Sequence, residues 1–178
     1  VNKQWAKLED KPAWLQQHVA FTNDNERIQA HLMLVNYFLA LQAPNGLTAT
    51  QQAARQHHLN VLTAYWQRGQ FPENSNHSYR IPYFIDRNGT ACAVGYLMLE
   101  DGQRETADAV VTWNNNAYIS EIDQELDALA QWADKAGFSV AELAWIQPAY
   151  SPPPASFPGF KGTVNATAVD EVNALMYI

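Results

Sequence analysis

A chain of 178 residues with 47% hydrophobic and 16% charged residues has the balance of one globular domain with its own core, which excludes a disordered chain or two large domains. Its net charge of −7 comes without any cluster of Lys or Arg, which argues against nucleic acid and anionic membrane surfaces as partners. The longest apolar run, residues 32–41, is interrupted by Asn36 and Tyr37 and falls short of the roughly 18–20 residues of a membrane span.

In chain order, residues 12–19 read as a short helix with Trp14, Leu15 and His18 on one side. Asn23 followed by Glu26 is a capping-box pattern, and Ile28, Leu32, Val35 and Leu39 then recur at helical spacing until Pro44-Asn45-Gly46. Thr48 with Gln51 repeats the pattern. Ala54, His58, Val61, Leu62 and Tyr65 mark the inner face of this second helix, and Gly69 suits the left-handed position after it. Residues 79–85 are rich in β-formers, and Asp86-Arg87-Asn88-Gly89 is a turn. The chain then either returns as a strand over 90–94 or opens a buried helix over 91–99. The favoured reading is a short hairpin-like element within 79–94 that feeds a helix.

Beyond Gln103, Ala107, Val110, Val111 and Trp113 form an apolar stripe closed by three asparagines. Ile122, Leu126, Leu129, Trp132 and Ala133 form the next, ended by Gly137. Ser139 with Glu142 starts a last core helix that Pro148 stops. Ser151-Pro152-Pro153-Pro154 leaves in extended form, and Val169, Val172, Leu175 and Met176 suit one more short helix. The expected fold is mainly α (α+β), with five or six helices and one small β-hairpin-like element near 79–94. Residues 1–150 would form a single helical domain and 151–178 a Pro-rich connection with a short terminal segment.

Three stretches carry a resemblance. The first runs from Phe71-Pro72 through Phe84-Ile85-Asp86-x-x-Gly89-x-x-Cys92-Ala93-Val94-Gly95-Tyr96-Leu97. The others are Asn115-Asn116-Ala117-Tyr118-Ile119 and Glu142-Leu143-Ala144-x-Ile146-Gln147-Pro148-x-Tyr150. Over residues 26–150 they resemble a family of uncharacterised exported bacterial proteins. The resemblance implies a bacterial, exported chain and brings no activity or catalytic residue with it. A start at Val1 rather than Met points the same way, since a trimmed export precursor has that form.

The lone cysteine excludes an internal disulfide framework and raises the question of a nucleophile. All five histidines precede Cys92, so a base would come from His58 or His77, with Asp86 as its orienter. The opposing reading is that Cys92 is a small buried apolar residue, as most free cysteines are. His31, His58, His77, Asp86 and Cys92 include metal-ligand types at no compact ligand spacing, and His57-His58 cannot chelate one ion from a helix; no metal and no cofactor is expected. Asp86-x-Asn88-Gly89 lacks the closing Glu of a calcium loop and reads as a turn. Glu121, Asp123, Glu125 and Asp127 suit a solvated helix start. Trp66, Trp113, Trp132 and Trp145 read as core, whereas Tyr79, Tyr83 and Tyr118 are free to line a surface pocket. Arg80 is either an anion clamp or half of a structural ion pair.

The functional expectation is a non-catalytic exported domain that binds a partner protein or an envelope component, with Arg80, His77 and Tyr118 as binding residues. The alternative is a cysteine-dependent hydrolase or transferase using Cys92, His58 and Asp86, in which Cys92 and His58 share a pocket with Arg80 or Asp86.

Overall fold

The computed structural model describes residues 2–7 and 20–152. After a 3-10 turn, Lys3–Lys7, come α1 (Asp24–Leu41), α2 (Ala49–Arg68), α3 (Ala93–Glu100), α4 (Arg104–Asn114), α5 (Ile119–Glu125), α6 (Asp127–Ala136) and α7 (Val140–Ile146). No sheet forms among the described residues, and none of their helices is long and apolar enough to cross a membrane. The helix expected over 12–19 and the segments expected beyond residue 152 lie outside the described residues.

The helix starts follow from local side-chain chemistry. Asn23, Thr48 and Ser139 each accept the amide of the residue three positions on, which satisfies a donor that a helix start leaves open. Gly69 and Gly137 end α2 and α6 at φ 67 and 76, in the left-handed region that a side chain disfavours.

Two expectations need correction. The hairpin is absent: Ile85 and Ala91 meet in one antiparallel bridge, and Ile81 pairs singly with Tyr150. Pro82 has no amide to give, and Cys92 already caps α3, so no second strand can grow. The extended backbone instead finds partners on the asparagine run. Phe84 N donates to Asn115 O (2.8 Å), Asn115 both accepts from Ile85 N and donates to Ile85 O, and Asn116 donates to Pro82 O. The count of five or six helices also fails, because the stripe from Ile122 to Ala133 is two helices. They meet at Leu126, whose φ of −127 and ψ of 93 break the helical path.

Leu32, Leu62, Phe84, Leu97, Met98, Ile122, Leu129 and Ile146 sit in a common core. Trp132 joins it, but Trp113 does not: it is 41% exposed, since only Ala107 and Val110 of α4 turn fully inward. Two distant stretches are tied in by polar side chains. Asn2 donates to the carbonyls of Ala144, Trp145 and Gln147 at the end of α7, and Trp5 packs on Phe38 and Trp145. Ser151 donates to the Asp24 carboxylate at the start of α1 through both its amide and its hydroxyl.

Candidate functional site

Cys92 is the N-cap of α3. Its backbone is extended (φ −64, ψ 171), and Sγ accepts from Gly95 N at 3.3 Å. Gly95 lets Phe84 lie close against the start of α3: a Cβ there would lie 3.2 Å from Phe84 O and 3.3 Å from the Phe84 ring. The thiol is fully buried, and burial pushes its pKa up to about 12. The Tyr65 hydroxyl donates nearby to Ala91 O at 2.8 Å, and burial likewise raises that phenol well above its ordinary range. The reactive form of cysteine is the thiolate, which this surrounding disfavours.

His58, one of the two suggested bases, is held by other partners. His58 is buried on the inner face of α2 and His57 is exposed. The Nε2 of His58, however, meets Asp101 Oδ2 at 3.0 Å, and its Nδ1 meets Ala54 O at 2.7 Å. Asp101 is the C-cap of α3 and Cys92 its N-cap, so the two residues stand at opposite ends of that helix. Trp132 Nε1 donates to the same Asp101 oxygen at 2.8 Å, and the His58 ring lies edge-on to Trp132 and Phe138. Asp86 is occupied too. Its carboxylate accepts from the amides of Glu73, Asn88 and Thr90 at 2.8–3.0 Å and so shapes the loop.

His77 and Arg80, two of the suggested binding residues, lie on the long connection over 69–92. It contains no regular secondary structure beyond its single bridges, yet its shape is fixed by buried polar groups. Asn74 donates to Tyr79 O and Tyr150 O and accepts from His77 N. The His77 Nδ1 meets the Tyr83 hydroxyl at 2.8 Å, and its ring sits edge-on between Tyr83 and Tyr79. Tyr83 is buried, whereas Tyr79 is 59% exposed. Arg80 takes the ion-pair role: Nη2 donates to Ser151 Oγ at 2.6 Å, and Nη1 lies 3.7 Å from Asp24 Oδ1. Arg27 pairs with the same carboxylate and donates to the same hydroxyl. Tyr118 opens α5, with the Lys3 ammonium 5.1 Å above its ring, and takes no part in the His77 hydrogen bonds. Of the three suggested binding residues, His77 and Arg80 thus share one loop, while Tyr118 contacts the N-terminal turn.

Sequence reasoning missed Arg55 and Asp101. Arg55 is buried and donates to Leu39 O, Gly137 O and Glu142 Oε1 at 2.7–2.8 Å, with its guanidinium over the Phe138 ring. The available signal was a lone Arg on an inward helical face, which demands partners. Asp101 gave no signal beyond following a helix. Among the described residues no three His, Cys, Asp or Glu side chains stand close enough together to hold a metal ion.

Comparison with protein-family models, with curated proteins and with solved structures finds no match.

Proposed function

We propose that the chain is a non-catalytic binding domain whose loop over 69–92 meets a partner protein or a component of a bacterial cell envelope. The supporting observation is the loop itself. Irregular connections longer than about 12–15 residues inside compact domains usually serve function or are disordered. This one is 24 residues long, between Arg68 and Ala93, and is held in place by Asn74, Asp86, Asn115 and Asn116. A loop fixed from beneath that presents an exposed tyrosine beside a histidine has the form of a pre-organised contact surface. The resemblance to exported bacterial proteins supports an envelope setting. The surroundings of the Cys92 thiol give the cysteine-enzyme alternative no support.

The test is cosedimentation of the purified chain with isolated bacterial envelopes, beside a His77→Ala, Tyr79→Ser variant. The expected result is that the parent chain pellets and the variant stays in solution, while both still unfold in one cooperative transition. Equal pelleting would remove the loop from the reading, and rapid alkylation of Cys92 in the native state would favour the enzyme.

A further inference from the structure

We propose that two copies of this chain associate through the outer face of the α1–α2 hairpin, each α1 packing against its counterpart. The first observation is a gap in the charge pattern. Among residues 28–67 the single Asp, Glu, Lys or Arg is Arg55, in a chain where such residues make up 16%. Arg55 is buried and its charge is met inside the fold by Glu142, so it adds no unpaired charge to the outer face. The acidic excess of the chain therefore comes from residues outside this stretch.

The second observation is what the charge-free face displays. Met33, Tyr37 and Leu41 are 46%, 56% and 65% exposed. Their spacing of four residues sets them in one row along α1. Ala40 beside them and Gln52, Gln56 and Asn60 on α2 are exposed and uncharged. The face continues into an open groove of about 210 Å³ whose walls include Leu39, Ala40, Ala43 and Leu47 and also the side of Arg55.

Charge selects the occupant. Each chain carries −7, so two copies repel across most approaches. A face without ions is the one that a second copy can cover without burying an unpaired charge, and a two-fold axis would set that face against itself. Depletion of charge at the centre, with aromatic residues and Met enriched, is also the composition of protein interfaces. Helices that rise about 1.5 Å per residue and measure about 10 Å across present roughly 500 Å² of projected face for such a pair. That lies below the roughly 800 Å² per partner of a standard interface and suits a weak, concentration-dependent dimer. This inference is independent of the loop over 69–92.

The experiment is sedimentation equilibrium of the full chain across a wide concentration range, with and without Tyr37→Glu and Leu41→Glu together. The expected result is a monomer–dimer equilibrium that the double variant weakens at least about tenfold while helix content and melting stay unchanged. If the double variant does not melt cooperatively, Leu41→Lys alone serves with the same expectation. A parent chain that stays monomeric throughout overturns the proposal, as does a dimer that the substitutions leave intact. Cross-links within a monomer from Tyr37 to residues 8–19 or 153–178 also overturn it, because the chain itself would then cover the face.

Discussion

A Cβ at Gly137 would stand 2.4 Å from the carbonyl oxygen of Gln51, so the end of α6 presses directly on the first turn of α2. Gln51 answers with its side chain, which donates to Asp134 O at 2.9 Å. Gly137→Ala combines a positive φ with a backbone clash and is expected to cost well over 1 kcal/mol. Gly89→Ala is the control, since its φ is also positive but its Cβ would meet open space. Urea denaturation of the two variants checks the difference. Equal losses would mean that the contact with Gln51 contributes nothing.

Arg55 joins three helix ends at once, through Leu39 O in the last turn of α1, Gly137 O after α6 and Glu142 in the first turn of α7. Removing one partner of a buried ion pair typically costs about 3–5 kcal/mol. Arg55→Ala should fall in that range. Arg55→Lys should recover only part of it, because an ammonium lacks the planar fork that serves several acceptors at once. Chemical denaturation gives both values, and a lysine variant as stable as the parent would refute the three-way role.

Cys92 serves as a cap as well as a packing group, and substitution separates the two roles. Serine places a better acceptor at the same position, so Cys92→Ser should stay within about 1 kcal/mol of the parent. Cys92→Ala loses the bond to Gly95 and should be the weaker variant, by about 0.5–2 kcal/mol. The reverse order would make the thiol a packing group alone. With its pKa near 12, the native thiol should also react with a disulfide reagent only as fast as the chain unfolds.

Trp5 Nε1 donates to His31 Nδ1 at 2.8 Å, which requires an unprotonated nitrogen. Burial lowers the pKa of His31 from 6.5 to about 3. The unfolded chain therefore takes up a proton that the fold refuses, so this contribution is complete above pH 6.5 and is lost as pH falls towards 3. At about pH 4.5 the loss should be about 2–3 kcal/mol. His31→Gln keeps an acceptor for Trp5 and removes the titration. Denaturation of parent and variant at pH 7 and at pH 4.5 should show the parent losing more on acidification, and parallel losses would contradict the assignment.

What the sequence revealed was short-range. The caps at Asn23, Thr48 and Ser139 and the left-handed glycines 69 and 137 depend on neighbours three or four positions away, and all five stand as read. The break at Leu126 was hidden because neither Gly nor Pro marks it. The segment around Phe84 reads as strand because it is extended, but its partners are asparagines 30 or so positions away. For the site, inward placement of His58 followed from helical periodicity. Its engagement by Asp101 did not, because that bond depends on how α2 packs against the end of α3. His77 and Arg80 share a loop by adjacency, and Tyr118 was grouped with them on residue type alone.

The bonds of Asn2 and Ser151 carry a consequence for biosynthesis. A helix leaves its last carbonyls open, and α7 has three of those near its end taken by the side chain of Asn2. The start of α1 in turn receives Ser151. On a ribosome Asn2 emerges more than 140 residues before its acceptors are made, and Asp24 waits a comparable time for Ser151. The helices between can form as they emerge, but the last seams close only when residue 151 is free of the exit tunnel. A nascent chain stalled before that point should therefore expose Trp5 to protease or quencher.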